Sequence, residues 1–306
     1  MNSSSEITLT SLTGDALALG AHWIYSQREI FEKIGPVTGY SDPATTYHPG
    51  KAAGDFTHYG DQVMVLLRSL AAHGRFNQAA FADEWRLFWE NPATLSYRDG
   101  ATKTTLENLR AGKPLDATAS SSNDIAGAAR IAPLFLLDWK SNEDLVAAAR
   151  SQTALTHGDP SVIETAEFFA RVTLAVQEGA EIRDALREVA MRPHWKAIPE
   201  EWLGNALQSA DSDNSDLAAV KEHGLGCHVS DAFPAICHLL LRHPGDTGAA
   251  LAVNVEAGGD SAARGLFLGM IYGASSHMKS PPAEWNSGLR AHDEIQQLLQ
   301  KINSHA

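Results

Sequence analysis

The chain has 306 residues, 44% of them hydrophobic and 20% charged, which is ordinary for a globular protein with a sizeable core. Its net charge of -13 argues against a nucleic acid or an anionic membrane as partner, because both require basic patches. No apolar run reaches the roughly 18 residues of a membrane span, and the start MNSSSEITLT lacks a signal-peptide pattern. Two cysteines, Cys227 and Cys237, give no disulfide framework. We therefore expect a cytoplasmic protein that binds a small molecule.

Apolar residues recur at helical spacing along the chain, and alternating strand patterns are absent. In chain order, this spacing predicts helices over residues 61–73, 78–89, 124–137, 141–154, 161–177, 182–191, 231–241, 259–274 and 289–302. We therefore predict an all-α protein, a compact multi-helix bundle in which residues 1–306 form a single domain of a dozen or so helices.

Three segments interrupt this pattern. Residues 35–59, GPVTGYSDPATTYHPGKAAGDFTHY, are rich in Gly, Pro, Thr and Tyr and have little helical character. A segment of this length inside a compact domain is usually functional or disordered, and its aromatic residues favour an ordered binding loop. Residues 111–123 are predicted to be a polar linker, and residues 211–216 an acidic surface loop.

Four predicted turns place an aspartate beside a glycine: TGDA, YGDQ, THGDP and GGDS. Each aspartate can cap a following helix, and Pro160 in the third turn is a typical first helical residue. The alternative is a ligand site, because a helix N-terminus offers free backbone N–H groups to a polar or anionic group. His157 in the third turn is open to both interpretations, as a structural histidine or a ligand contact.

The fourth turn, in VEAGGDSAARGLFLGMIYGA, has the most distinctive pattern. Asp260 is predicted to cap the helix that follows the glycine pair. Arg264 lies in the first helical turn, where the helix dipole disfavours a cation. An anionic partner would explain it, either the carboxylate of Asp260 or Asp61 or a phosphate of a ligand. Glycines on one face of the helix predict very close packing against a neighbour: Gly265, Gly269 and Gly273.

Four segments together resemble the ADP-ribosylglycohydrolase family in the right order, between about Thr10 and Ala274. They are TGDALALGA, SNDIAGAARIAPL, LTHGDP and GGDSAARGLFLGMIYGA. The motifs YGDQ and GGDSAARG are similar to those of one branch of that family, which contains the J-type crystallins and selenoprotein J. The resemblance implies an all-α fold and a hydrolase of ADP-ribosyl bonds. A standard zinc-ligand spacing, a glycine-rich phosphate loop and a GxSxG elbow are all absent from the sequence.

The same resemblance implies two magnesium or manganese ions, held by an early T-D-D-T and a late D-x-D-T motif. Such ions require several oxygen ligands. In the late motif Asp260 remains, whereas Ala262 and Ala263 replace the second Asp and the Thr. In the early motif HYGDQ, either Gly60 replaces one Asp, or Tyr59 and Gly60 replace both and Asp61 replaces the Thr. We therefore expect no metal cofactor, with Mg or Mn as the less favoured alternative.

Three functions remain open. The first is a metal-independent hydrolase of a ribosyl or related glycosidic bond, with Asp61 and Asp260 as an acid/base pair. The second is a non-catalytic, crystallin-like binding or structural protein, and the third is a conventional metal-dependent ADP-ribosyl hydrolase. An ADP-ribose-like small molecule is the expected ligand, and neither nucleic acid nor membrane is an expected partner. The predicted substrate-binding residues are Asp15, His58, Tyr59, Gln62, His157, Gly259, Ser261 and Arg264.

Overall fold

A computed structural model describes residues 3–305 of the chain. Over these residues the regular structure is entirely helical, with fifteen α-helices, three short 3-10 helices and no strand, so the all-α prediction is confirmed. The α-helices are α1 (Ser3–Ala18), α2 (Gln27–Lys33), α3 (His58–His73), α4 (Gln78–Glu90), α5 (Gly100–Arg110), α6 (Asn142–Ala154), α7 (Pro160–Gln177), α8 (Ile182–Ala190), α9 (Glu200–Ala210), α10 (Asp216–His223), α11 (Val229–Arg242), α12 (Thr247–Ala257), α13 (Ser261–Ala274), α14 (Ala283–Ser287) and α15 (His292–Asn303). The 3-10 helices are Leu115–Ala117, Ile125–Gly127 and Ala132–Leu136.

One predicted helix, over residues 124–137, is wrong. The segment instead forms two separate 3-10 helices, Ile125–Gly127 and Ala132–Leu136. Its backbone hydrogen bonds go elsewhere: the N–H of Ile125 donates to the carbonyl of Cys227 at 2.8 Å. Gly127 lies directly against the ring of His157, which leaves no room for a side chain. Tertiary hydrogen bonds and packing therefore override the helical pattern of this alanine-rich segment.

The other eight predicted helices correspond to observed ones, and α1, α2, α5, α9, α10, α12 and α14 are additional. The TGDA turn is also wrong, because α1 runs without interruption through Gly14 and Asp15 to Ala18. The turn before α7 is confirmed: Asp159 caps the helix by accepting a hydrogen bond from the N–H of Ser161, and Pro160 is its first residue. No helix within residues 3–305 has the length and apolar character needed to cross a bilayer.

Helices α1 and α13 form the centre of the core and lie antiparallel at very short separation. Gly265 lies against the backbone of Gly14, and Gly269 lies against that of Thr10. A methyl group on either glycine would overlap a backbone carbonyl, so the close packing predicted from the glycine spacing is confirmed. The antiparallel arrangement brings the C-terminal end of α1 beside the N-terminal end of α13.

The long segment between α2 and α3 is ordered by hydrogen bonds to distant elements. The hydroxyl of Tyr40 donates to the carbonyl of Trp285 at 2.6 Å. The N–H of Ala44 donates to the carbonyl of Gly20, just after α1, at 3.0 Å. The segment therefore lies over the end of α1, where it adds aromatic side chains to those of neighbouring loops.

Candidate functional site

A group of buried polar side chains lies where the C-terminal end of α1 meets the N-terminal ends of α3 and α13. We call it the Asp260 cluster, and it consists of His22, His48, His58, Tyr59, Asp260 and Ser261. Asp260 is 0% exposed, and among residues 3–305 neither carboxyl oxygen makes a hydrogen bond of good distance and angle, although the nearby Tyr59 hydroxyl acts to lower its pKa. Although Asp260 holds the N-cap position of α13, its side chain makes no capping hydrogen bond. The prediction that Asp260 caps this helix is therefore wrong.

Three histidines surround this carboxyl group. The Nδ1 atom of His22 lies 3.6 Å from Oδ1 of Asp260, and the rings of His22, His48 and His58 have centroids 5.3 to 6.1 Å apart. None of their six ring nitrogens makes a hydrogen bond of good distance and angle in the described part of the chain, although Nε2 of His58 lies 3.4 Å from Oδ2 of Asp99. Burial, reinforced by the other histidines, keeps the pKa of His22 well below its usual value and lowers that of His48 to about 3. Both rings are therefore neutral at neutral pH.

The carboxyl groups of the site have unequal environments. Burial, followed by the charge of Asp124, raises the pKa of Asp260 well above its ordinary value. Burial also raises the pKa of Asp124, but the N–H of Ala126 donates to its Oδ1 at 2.8 Å and favours the ionised form. Burial acts in the same direction on Asp99, but the adjacent His58 ring outweighs it and the pKa of Asp99 is lowered. The site therefore combines two carboxyls whose pKa is raised, Asp260 and Asp124, with one whose pKa is lowered, Asp99.

Aromatic side chains cover the outer side of the cluster. Trp23 stacks on His22 with ring centroids 4.5 Å apart, and Tyr47 and Tyr97 meet it edge-on at 4.9 and 5.0 Å. Trp23 has a backbone φ of 66°, and no other non-glycine residue within 3–305 has a positive φ. This conformation costs on the order of 1–3 kcal/mol and is concentrated at functional sites. Tyr47 is 45% exposed, so this aromatic wall reaches from the buried cluster to the surface.

Two of the predicted site aspartates already have partners. The ammonium group of Lys51 lies 2.8 and 2.7 Å from the two carboxylate oxygens of Asp61. Asp15 accepts hydrogen bonds from the N–H and hydroxyl of Thr57, at 2.8 and 2.6 Å, and from the N–H of Gly60 at 3.1 Å. Asp15 thus caps α3 from the end of α1, and burial raises its pKa to about 6.

Two further predicted residues also make hydrogen bonds within the protein. Gln62 accepts from Trp85 at 2.8 Å and from Arg130, and it donates to the carbonyl of His58 at 3.0 Å. Nδ1 of His157 is hydrogen-bonded to the neighbouring Thr156 hydroxyl at 2.8 Å. These buried hydrogen bonds hold the helices around the site in position.

Arg264 has a different partner from the one expected. Its Nε donates to Asn254 Oδ1 at 2.9 Å, and a terminal nitrogen donates to the carbonyl of Gly258. Within residues 3–305 no carboxylate forms an ion pair with it, so the alternative of an Asp260 or Asp61 partner is wrong, and the alternative of a ligand phosphate stays a prediction. Gly259 acts through its backbone: its N–H donates to Ile24 at 2.7 Å, and its carbonyl accepts from Trp23 at 3.0 Å.

The predicted residues with unpaired buried polar atoms are therefore His58, Tyr59, Asp260, Ser261 and, through one terminal nitrogen, Arg264. Sequence reasoning missed the residues that complete the site, which are His22, Trp23, His48, Tyr97, Asp99 and Asp124. The segment SNDIAGAARIAPL contains Asp124, and His22 follows TGDALALGA, so the motifs gave a signal for these two. Asp99 precedes Gly100 at a helix start and has the same pattern as an ordinary cap.

Comparisons with known proteins agree with this geometry. The family model described as ADP-ribosylglycohydrolase matches residues 8–306. Crystallin J1A of Tripedalia cystophora is 23% identical over 96% of this chain and 94% of its own length. Crystallin J1B of the same organism is 21% identical over 95% of this chain and 93% of its own. A solved structure named ADP-ribosylglycohydrolase-related protein complex superposes with a TM-score of 0.71 at 21% identity, covering 100% of this chain and 99% of that one.

Proposed function

Because the chain belongs to the ADP-ribosylglycohydrolase family, we propose that it hydrolyses a glycosidic bond to ribose or a related sugar without a metal ion. The observation that carries this proposal is the carboxyl group of Asp260, which is fully buried with both oxygens unpaired. An unpaired buried polar group costs about 1–3 kcal/mol of stability. A substrate that hydrogen-bonds to Asp260 would recover this free energy.

Two carboxyl groups with separated pKa values suit glycoside hydrolysis. A carboxyl that keeps its proton can protonate the leaving group, and an ionised one can activate water or stabilise the sugar cation. Asp260 fits the first role, because burial and Asp124 raise its pKa. Asp124 is our choice for the second role, because it lies close enough to raise the pKa of Asp260, and the N–H of Ala126 favours its ionised form against the burial that raises its own pKa. We therefore assign Asp124 as the second carboxylate, and Asp61, which binds Lys51, becomes the alternative.

Metal independence rests on the donor groups at the family's two motifs. Ala262 and Ala263 in the late motif are buried methyl groups, which cannot ligate a metal. In the early motif Gly60 has no side chain, and the carboxylate of Asp61 is held by Lys51. No group of three or more His, Cys, Asp or Glu side chains in the described chain is arranged to hold a metal ion. These residues do not fit a pair of hard divalent cations, which require several oxygen ligands each.

The surroundings of Asp260 suggest how a substrate would be held. The Trp23, Tyr47 and Tyr97 rings offer stacking surfaces for a planar leaving group. The Nδ1 atom of His58 and the Tyr59 hydroxyl, which make no hydrogen bond of good geometry among the described residues, can hydrogen-bond to sugar hydroxyls. We propose an ADP-ribose-like small molecule as substrate.

A non-catalytic, crystallin-like role is the second candidate. Two observations favour it: Asp260 is 0% exposed beneath the aromatic wall, and the relatives described above are named crystallins. In this alternative the same pocket binds a ligand or is only structural. The two candidates differ in whether substitution of Asp260 removes an activity.

The first experiment measures thermal unfolding of the chelator-treated protein with Mg²⁺, Mn²⁺, ADP-ribose and their combinations. A ligand that binds only the folded state raises the midpoint by mass action. We expect a shift with ADP-ribose that is independent of metal. A metal-dependent shift that grows with ADP-ribose would contradict metal independence.

Turnover of ribosyl glycosides by matched aspartate variants tests the carboxyl pair. Asp260→Asn and Asp124→Asn should each lower kcat by about 10²–10⁴-fold, because each removes an acid or base. Asp61→Asn serves as the control and should retain most activity. Full activity in Asp260→Asn would refute the mechanism, and a loss only in Asp61→Asn would restore Asp61 to the pair.

A further inference from the structure

A second group of polar residues joins α9, α10 and α11, away from the Asp260 cluster. We call it the Ser209 network, and it consists of Ser209, Asp216, His223, His238, Arg242 and His243. We propose that Ser209, His238 and Asp216 form a catalytic triad. It hydrolyses small carboxylic esters that carry no negative charge. This activity is separate from glycoside hydrolysis and shares no residue with it.

The three groups form a continuous hydrogen-bonded chain. The Ser209 hydroxyl lies 2.8 Å from Nδ1 of His238. The other ring nitrogen of His238, Nε2, lies 3.1 Å from Oδ1 of Asp216. A hydroxyl, an imidazole and a carboxylate in this order define a serine-hydrolase triad by geometry and role, whatever the fold.

Each member comes from a different helix. Ser209 lies in the last turn of α9, Asp216 is the first residue of α10, and His238 lies on α11. The His238 side chain is 0% exposed, which fixes its ring between the other two groups. The triad is therefore positioned by packed helices and not by a mobile loop.

The hydrogen bonds determine which ring nitrogen carries the proton. Although burial acts to raise the pKa of Asp216, His243 and His238 outweigh it and the pKa is lowered, so this group is ionised at neutral pH. An ionised carboxylate only accepts hydrogen bonds, so Nε2 of His238 carries the proton and donates it. Nδ1 then has a free lone pair that faces the Ser209 hydroxyl. Burial lowers the pKa of His238 to about 4, which keeps the ring neutral and able to act as a base.

A fourth group contacts the nucleophile. Nε2 of His223, the last residue of α10, lies 2.9 Å from the Ser209 hydroxyl oxygen. An N–H at this position can donate to the Ser209 oxygen and so fix the orientation of the hydroxyl. Ser209 also bonds to the carbonyl of Ala206 at 3.0 Å, so the attack requires its proton to turn to His238.

Ser209 opens onto a polar cavity of about 500 Å³. The indole of Trp202 lines it, together with the amides of Asn205 and Gln208, which can donate hydrogen bonds to a carbonyl oxygen. Two carboxylates, Glu201 and Glu222, also line it, and no lysine or arginine does so among the described residues. This lining disfavours anions, and it selects small neutral or cationic esters.

The reaction is a two-step acyl transfer with water as the second substrate. Oγ of Ser209 attacks the ester carbonyl carbon while its proton moves to Nδ1 of His238. The tetrahedral intermediate then breaks its carbon–alkoxide bond, and the leaving alcohol takes that proton. Water next attacks the acyl-serine and gives its proton to His238, and collapse releases the carboxylic acid as Oγ recovers the proton. Ester and water are thus converted to acid and alcohol.

The test uses the full-length protein with a fluorophosphonate probe and, separately, p-nitrophenyl acetate. We expect mass spectrometry to locate the phosphonyl group on Ser209 and the ester assay to show a burst of acyl-enzyme. Ser209→Ala should lose the label and lower kcat/KM by at least about 10²-fold. The matched control is Ser287→Ala, a serine at the end of α14 that also bonds to a carbonyl of its own helix. It should retain both signals.

A pH profile separates catalysis from a structural role. The labelling rate should rise around pH 4, as His238 loses its proton, and then remain level to neutral pH. The charged and titratable groups that face His238 are Asp216 and His223 of α10 and Arg242 of α11, and His243 also contacts Asp216. Absence of label on Ser209, or equal ester hydrolysis by Ser209→Ala, would overturn the proposal. A circular-dichroism spectrum identical to the wild type confirms that the variant is folded.

Discussion

The Asp260 cluster and the Ser209 network both place an aspartate among histidines, yet the two aspartates differ in every physical respect. Asp216 contacts His238, His243 and Arg242 at 2.9 to 3.1 Å, and its pKa is lowered. Asp260 has no hydrogen-bond partner within residues 3–305, and burial raises its pKa. The difference teaches that the depth of burial together with the number of donors around a carboxyl group, and not the types of neighbouring residue alone, decides its charge.

The two regions also contribute to the fold in opposite ways. The network links three helices through satisfied hydrogen bonds, which stabilises their packing. The cluster leaves polar atoms buried without partners, which lowers stability, and such groups are concentrated at functional sites. Each prediction below compares a paired group with an unpaired one.

The largest expected change in the free energy of unfolding comes from removing the side chain that hydrogen-bonds to the Arg264 guanidinium. Asn254 is fully buried, accepts from Arg264 at 2.9 Å and donates to the carbonyl of Ser261 at 2.8 Å. Asn254→Ala should lower the free energy of unfolding by about 3 kcal/mol, because it leaves a buried guanidinium short of an acceptor. Urea denaturation measures this change. Asn303→Ala, at an exposed helix end, is the control, and equal losses in both variants would contradict the account.

A smaller loss is expected in the Ser209 network. Asp216→Asn should lower the free energy of unfolding by roughly 2 kcal/mol at neutral pH, because hydrogen bonds to a charged acceptor are replaced by weaker ones. Since the folded pKa of Asp216 lies below its ordinary 3.8, its contribution is present above that pH and is lost as the pH falls through the folded pKa. The difference between variant and wild type should therefore disappear in acid. Asp213→Asn, in the exposed loop before α10, should leave stability unchanged.

An aspartate-to-asparagine substitution at Asp260 should change the free energy of unfolding in the opposite direction and by the smallest amount of the three. Asp260→Asn should raise the free energy of unfolding by up to about 1 kcal/mol at neutral pH, because the wild-type carboxyl ionises in the unfolded chain and must take up a proton on folding, whereas an amide does not. The folded pKa of Asp260 lies above 3.8, so this cost is absent in acid and grows as the pH rises from 3.8 towards the folded pKa. The gain in the variant should grow over the same range in parallel urea titrations. A variant that loses stability throughout this range would show that Asp260 is a structural group after all.

Part of this architecture was predictable from local sequence. Residues 61–73 and 161–177 each have apolar side chains at helical spacing, which predicts a helix with one buried face. The observed helices α3 and α7 include these two ranges. The spacing of Gly265, Gly269 and Gly273 predicted the close approach of another backbone. The helix predicted over residues 124–137 does not form, because the N–H of Ile125 donates a hydrogen bond to the carbonyl of Cys227. No local sequence pattern can reveal a partner so far along the chain.

For the site, the sequence by itself determined the candidate aspartate at position 260, the alanines at positions 262 and 263, and the family. Only the tertiary structure decided that Asp260 is buried without a hydrogen bond of good geometry, that Asp61 binds Lys51, and that Asp124 and three distant histidines surround Asp260. The physical reason is one of range. Helix periodicity and turn chemistry depend on neighbours within a few residues, whereas the partners and the pKa of a buried group depend on which distant segments the packing of α1 against α13 brings together.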